Sequence, residues 1–110
     1  MPLDRAALEK ILHTPRDNAM LRVSLASACQ AEGQIQKALG YLQSAVEKDP
    51  NYSAAWKQLG KLAAENNNVA TARDAFINGI RVAQDKGDLQ AVREMQVFLR
   101  RLPTDESLKA

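Results

Sequence analysis

The chain has a single cysteine, few aromatic residues, almost no net charge and no long hydrophobic run among its 110 residues. One cysteine, Cys29, excludes an internal disulfide and a cysteine-rich metal site. No apolar run approaches the roughly 18 residues that a membrane-spanning helix needs. The N-terminus lacks the basic start and apolar stretch of a signal peptide. We therefore expect a cytoplasmic protein that does not interact with a membrane.

The charges are close to balance, with 15 Lys and Arg against 13 Asp and Glu and a net charge of +2. Nucleic-acid-binding domains usually carry a strong basic patch, so a nucleic-acid partner is not expected. Arg93, Arg100 and Arg101 near the C-terminus leave a nucleic-acid accessory role as a third hypothesis. We interpret these arginines as a solvated helix face.

Residue patterns typical of catalysis are also missing. There is no metal-ligand spacing, no phosphate-binding glycine loop and no catalytic constellation. Cys29 would need a nearby base to act as a nucleophile, and the only histidine, His13, falls in a different predicted helix. We interpret Cys29 as a buried structural thiol and His13 as a helix-end residue. The sequence predicts a protein that is not an enzyme and needs no metal or cofactor.

What the sequence does contain is a helical pattern that repeats. The second half has Trp56, Leu59 and Gly60 as W-x2-L-G, followed by A-x3-F and a later glycine. A matching frame of small and large apolar residues stands 34 residues earlier. The residues that carry the pattern are Leu25, Ala26, Gly33, Ala38, Leu42, Ala45 and Pro50 in the first unit and Trp56, Leu59, Gly60, Ala72, Phe76 and Gly79 in the second. This period and pattern resemble the tetratricopeptide repeat (TPR), a helix–turn–helix unit that stacks into solenoids.

The resemblance implies an all-α fold, a right-handed superhelical stack of antiparallel helix pairs with about six helices. It places the chain among small stand-alone bacterial TPR proteins with two repeats. Two repeats are fewer than the three usually needed for stability, so flanking helices must complete the core. The first repeat is degenerate, since Arg22 stands where Trp56 stands in the second. We divide the single domain, 1–110, into an N-terminal capping helix and turn at 1–18, repeats at 19–52 and 53–86, a C-terminal capping helix at 87–103 and a tail at 104–110.

Local signals predict where the helices begin and end. Asp4 is expected to cap a first helix that runs to about His13, and Asn68 and Asp88 to cap later ones. The predicted helices after the first cover about 19–32, 35–48, 53–66, 69–86 and 89–102. In the last of them, Leu89 is placed in the inward apolar stripe, which Met95 and Leu99 share.

In TPR proteins the first helix of each repeat lines a concave groove. The resemblance therefore implies a peptide-binding groove whose candidate residues are Met20, Val23, Ser27 and Gln30 from the first repeat and Ala54, Lys57, Gln58, Lys61 and Glu65 from the second. Lys57 and Lys61, one turn apart, would attract an acidic or C-terminal group of a peptide. The alternative is a solvated lysine face.

Some family members bind a terminal carboxylate with Lys and Asn side chains from three successive repeats. Val23, Ser27 and Gln58 replace three of those residues, and no third repeat matches the frame. We predict no such clamp. Trp56 falls in the apolar stripe and is interpreted as core rather than as a ligand platform.

The function predicted from the resemblance is a non-catalytic protein–protein interaction module that binds a peptide segment of an unidentified partner in its groove. The alternative is a structural unit that forms a homo-oligomer through an incompletely capped end of the solenoid. That end would be either the N-terminal helix or the side of the last helix that carries Met95 and Phe98.

Overall fold

The computed structural model describes residues 4–104, which form six α-helices and no strand. The helices are α1 (Arg5–Glu9), α2 (Ala19–Ala31), α3 (Ile35–Lys48), α4 (Ser53–Glu65), α5 (Val69–Lys86) and α6 (Leu89–Arg101). They pack chiefly on their neighbours in the chain, and α4 also contacts α6. The predicted all-α repeat fold is confirmed. Of the predicted tail at 104–110, only Thr104 lies within the described residues.

The last helix packs on α5 much as α4 packs on α3. It therefore takes the place that the first helix of a third repeat would have. It begins two residues later than the 34-residue period requires, because α5 continues to Lys86. None of the six helices in the described range is both long and apolar enough to cross a membrane.

Side-chain caps fix the starts of four helices. A side-chain oxygen of Asp4 accepts the N–H of Ala7 at 2.8 Å, and one of Asp88 accepts the N–H of Ala91 at 3.1 Å. Asn68 caps α5 as predicted. Asn18 also caps α2, which was not predicted. Each cap satisfies a backbone donor that the helix itself leaves unpaired.

Left-handed backbone positions follow four segments of the described range, at His13, Gly33, Asn67 and Gly87. Gly33 and Asn67 occupy the same place in the two repeats, with φ of 76° and 62°. Glycine adopts this backbone conformation without strain because it lacks a Cβ atom, and asparagine is among the other residues that adopt it most often. His13 is the second non-glycine residue with positive φ in the described range, at 63°. The prediction that the first helix runs to about His13 is wrong. α1 ends at Glu9, and only hydrogen-bonded turns continue to His13.

Two clusters of buried residues form most of the core. The first joins α2, α3 and α4 around Cys29 and Leu42, and the second joins α4, α5 and α6 around Phe76 and Met95. Trp56 packs against the first cluster but is only partly buried. Leu89 was wrongly placed in the apolar stripe of the last helix. It lies in the first turn of α6, directly after the turn from α5, and is 59% exposed.

Gly60 of α4 lies directly against the ring of Phe76 in α5. A Cβ atom added there would lie 2.5 Å from the ring of Phe76, so a larger residue cannot be accommodated without a shift. The absence of a side chain at Gly60 therefore allows the ring of Phe76 to lie against α4. Gly40 in α3 is different, because no heavy atom lies within 4 Å of its added Cβ.

A bidentate ion pair joins α2 to the segment before it. Arg22 donates from Nη2 to Oδ2 of Asp17 at 2.8 Å and from Nε to Oδ1 at 3.1 Å. The N–H of His13 also donates to Oδ2, at 2.9 Å. In the second repeat the residue equivalent to Arg22 is Trp56, whose indole N–H donates to the carbonyl oxygen of Pro50 at 2.8 Å. The same repeat position thus ties a helix to its preceding linker in two different ways.

This ion pair makes stability depend on pH. Hydrogen bonds from Arg22 and from the His13 N–H hold the pKa of Asp17 well below its usual range. In the unfolded chain an aspartate titrates near about 3.9. The contribution of Asp17 is therefore complete above about pH 4 and is lost as the pH falls toward the folded-state pKa. We expect Asp17→Asn to lower the free energy of unfolding at neutral pH, and the difference from wild type to shrink in acid.

Urea unfolding of both proteins between about pH 2.5 and pH 7 measures this difference. The exposed Asp74 provides the control, since Asp74→Asn should change the free energy of unfolding by no more than about 0.5 kcal/mol at each pH. A difference between wild type and Asp17→Asn that stays constant through the acid range would contradict the assignment.

Candidate functional site

Six of the nine predicted groove residues line one cavity between α2 and α4. Its volume is about 330 Å³. The six residues are Ser27, Gln30, Lys57, Gln58, Lys61 and Glu65. They meet because residues three and four apart on a helix share a face, and α2 and α4 present those faces side by side. Hydroxyl and amide groups that both donate and accept hydrogen bonds therefore stand beside charged groups of both signs.

Lys57 is not a free cation in this cavity. Its Nζ lies 3.1 Å from Oε2 of Glu94 in α6. The hydrogen bond from Lys57 lowers the pKa of Glu94 below its ordinary value. Both side chains are about one-third exposed, so the pair is a weak one energetically. The ion pair connects α4 to α6. It also means that one of the two lysines expected to bind a peptide already contacts a carboxylate of the protein.

Lys61 remains directed at the groove. Its Nζ lies 5.5 Å from the ring centroid of Phe98 in α6, within the range of a cation–π contact. Lys61 forms no salt bridge in the described part of the chain. Nothing in the sequence distinguishes the two lysines, but their surroundings differ. Lys57 pairs with a carboxylate, whereas Lys61 lies over an aromatic ring.

The other three predicted residues lie elsewhere. Met20 is 64% exposed and borders a separate depression near Lys48 and Tyr52. Ala54 faces α6 beside Met95. Val23 was expected on the exposed face but is only 7% exposed, which corrects that placement. It belongs to the buried cluster of α2, α3 and α4, and α1 packs against the same helix.

Three depressions follow one another across the surface. The first, beside α1, is lined by Leu8, Val23, Ser24, Ser27 and Ala28. It shares Ser27 with the central cavity, and the central cavity shares Lys61 and Glu65 with a third depression against α6. The shared residues place the three depressions next to one another between α1 and α6, a longer surface than the two helices that the sequence indicated.

Cys29 is fully buried, and burial raises the pKa of its thiol. No polar or charged residue between positions 4 and 104 is buried. Over the same positions, no three His, Cys, Asp or Glu side chains are grouped so as to hold a metal ion.

The family model for the tetratricopeptide repeat matches residues 30–95. The chain belongs to the tetratricopeptide repeat family. It is 45% identical over 95 residues to the TPR repeat-containing protein PA0015 of Pseudomonas aeruginosa, a match that covers 86% of this chain and 90% of that one.

Solved structures of similar proteins show the same fold. Protein BPP2914 of Bordetella parapertussis, solved in solution, is 40% identical with a TM-score of 0.75, covering 99% of this chain and 95% of that one. A tetratricopeptide repeat domain protein of Salinibacter ruber, solved by crystallography, is 27% identical with a TM-score of 0.71, covering 76% of this chain and 94% of that one. TPR proteins are in general non-catalytic modules that mediate protein–protein interaction.

Two surfaces of this TPR protein were named as possible self-association sites. Leu8 of the N-terminal helix is 7% exposed, and Met95 of the last helix is fully buried. Phe98 is partly buried against α5 and α6 residues. Leu8 and Met95 are thus covered, whereas Phe98 remains partly exposed at the surface of α6.

Proposed function

We propose that this TPR protein binds an extended peptide segment of a partner protein along the groove between α2, α4 and α6, without catalysing a reaction. The observation that carries the proposal is the meeting of six predicted groove residues in one cavity of about 330 Å³. Further depressions share lining residues with that cavity on its α1 and α6 sides, which suits a chain lying across them rather than a compact ligand.

The side chains supply the interactions that a peptide needs. Ser27, Gln30 and Gln58 can pair with backbone N–H and C=O groups of an extended segment. Lys61 supplies a cation for an acidic residue of the partner. Lys57 has a different role, because its bond to Glu94 keeps α4 and α6 in register and thereby shapes the groove.

Peptides selected from a random 12-residue display library provide the ligand for a test. Their dissociation constants are measured by fluorescence anisotropy on wild type and on Lys61→Glu. We expect Lys61→Glu to weaken binding by about tenfold or more, equivalent to about 1.4 kcal/mol, because an attraction becomes a repulsion. Lys57 is left intact, since its replacement would also disturb the contact between α4 and α6.

The control is Lys48→Glu, the same charge change at an exposed lysine beside the separate Met20 depression. It should alter the dissociation constant by less than about twofold. Equal losses in both variants would indicate only a nonspecific charge effect. No loss in Lys61→Glu, together with no loss in Gln58→Ala, would overturn the groove as the binding surface.

A further inference from the structure

The third depression is an apolar pocket where the end of α4, the start of α5 and the end of α6 come together. Its volume is about 320 Å³, at the lower limit of pockets that bind ligands. The apolar residues that line it are Ala64, Val69, Phe76, Phe98, Leu102 and Pro103. The polar residues around it include Lys61, Glu65 and Arg101. The pocket therefore has an apolar interior with charged groups beside it.

The walls of this pocket are held in place by contacts within the protein. The rings of Phe76 and Phe98 pack with their centroids 5.6 Å apart. Arg73 donates from Nη2 to the carbonyl oxygen of Pro103 at 2.8 Å, which fixes the chain after α6 against α5. Because these positions are set before any ligand arrives, little ordering would be required on binding.

The charges around the pocket favour an anion. Lys61 and Arg101 form no salt bridge with any carboxylate among residues 4–104. Glu65 supplies one negative charge against these two positive ones. Lys61 also lies over the ring of Phe98, so a cation is held at the edge of the apolar surface. An apolar group with a carboxylate next to it matches both features.

We propose that this pocket is the anchor site for the partner peptide. It takes one large apolar side chain, and Lys61 and Arg101 bind the side-chain carboxylate of a neighbouring Asp or Glu. The inference rests on the proposed function, because Lys61 and Glu65 border both the pocket and the central cavity. It specifies the partner segment as an acidic one with a bulky apolar residue, and the groove binds the rest of that segment.

Three capped dipeptides test the two requirements separately. The probe is acetyl-phenylalanyl-glutamyl amide, the uncharged control is acetyl-phenylalanyl-glutaminyl amide, and the control without an apolar side chain is acetyl-glycyl-glutamyl amide. Each is titrated into isotope-labelled full-length protein and followed by NMR. We expect the probe to shift the signals of Val69, Phe98 and Leu102. It should bind about twofold to fivefold more tightly than the uncharged control, the range that an exposed ion pair supplies.

Variants assign the effect to the pocket. Lys61→Gln and Arg101→Gln should each reduce probe binding toward that of the uncharged control. Lys48→Gln, at an exposed lysine beside the separate Met20 depression, should not. Ala64→Leu places a larger side chain in the pocket and should abolish the shifts, with helix content checked by circular dichroism. Equal binding of all three dipeptides, or shifts confined to residues outside the pocket, would overturn the proposal.

The outcomes also separate this inference from the proposed function. Library peptides that shift Ser27, Gln30 and Gln58 but leave Val69 and Leu102 unchanged would overturn the anchor site while supporting the groove. Probe binding in the pocket, combined with loss of library-peptide affinity in Arg101→Gln but not in Gln58→Ala, would overturn the groove and leave the pocket as the binding site.

Discussion

Replacing Phe76 with alanine is expected to lower the free energy of unfolding by about 3–5 kcal/mol, the usual loss for a buried phenylalanine. Phe76 is 1% exposed, and its ring contacts Phe98 and covers Gly60. The loss combines the transfer of the ring to water with the cavity left between α4, α5 and α6. A domain of this size is stable by only about 5–15 kcal/mol, so the variant would lose a large share of its stability.

Thermal and urea unfolding followed by circular dichroism measure this change, and a fall in Tm of at least about 12 °C is expected. The next residue, Ile77, provides a matched control on the same helix, because it is 50% exposed. Ile77→Ala should change the free energy of unfolding by about 0.5 kcal/mol or less. Similar losses at the two positions would contradict the burial of Phe76 that the fold requires.

The same substitution at two helical glycines is expected to have opposite effects. Gly40→Ala should raise the free energy of unfolding by about 0.5–1 kcal/mol, because alanine restricts the unfolded chain and meets no atom in α3. Gly60→Ala should lower it by about 1–2 kcal/mol, since overpacking against the Phe76 ring exceeds the gain in helix propensity. The two variants should therefore differ by about 1.5–3 kcal/mol.

Urea unfolding of both variants measures the two signs. Coupling to Phe76 is tested by repeating Gly60→Ala in a Phe76→Leu background, where the ring is absent. The destabilisation should then be smaller, and the difference is the interaction energy between the two sites. If Gly60→Ala stabilises the protein as Gly40→Ala does, α4 and α5 are not as close as the structure places them.

Most of the fold was predictable because local signals determine the helix ends. α3 and α5 match their predicted ranges, and each ends at a strong stop, Asp49-Pro50 for α3 and Gly87 for α5. α1 was predicted too long, because its apolar residues continue beyond Glu9 while the backbone turns away. The spacing of apolar residues from Leu8 to Leu12 is the same for a helix and for a series of turns that pack on α2. The sequence alone could not distinguish these two structures.

The groove was predictable in part, for reasons of helix geometry. Lys57, Gln58, Lys61 and Glu65 lie on one face of α4, and the repeat register identified that face. The bond between Lys57 and Glu94 was not predicted, since it joins positions 37 residues apart and depends on how α6 lies against α4. The longer α5 shifts α6 out of the 34-residue frame, so the repeat pattern did not reveal that α6 borders the groove.

The apolar pocket could not have been found from any single segment. Val69 comes from the start of α5, whereas Phe98 and Leu102 come from the C-terminal end of α6, so no single repeat contains them. Only the packing of α4, α5 and α6 brings these residues together. A search for apolar residues in a frame shifted by two positions would have indicated that α6 continues the repeat, but not that a pocket opens beside it.

The packing of each helix chiefly on its neighbours in the chain has a consequence for how the protein reaches its native state. Contacts between residues close in sequence require little loop closure, and chains dominated by them fold in microseconds to milliseconds. Arrays of this kind behave as one-dimensional systems, in which structure nucleates at one pair of helices and propagates to the next. The pair α4 and α5, which meets at Gly60 and Phe76, lies between neighbours on both sides. Folding that begins there can spread toward both ends of the chain.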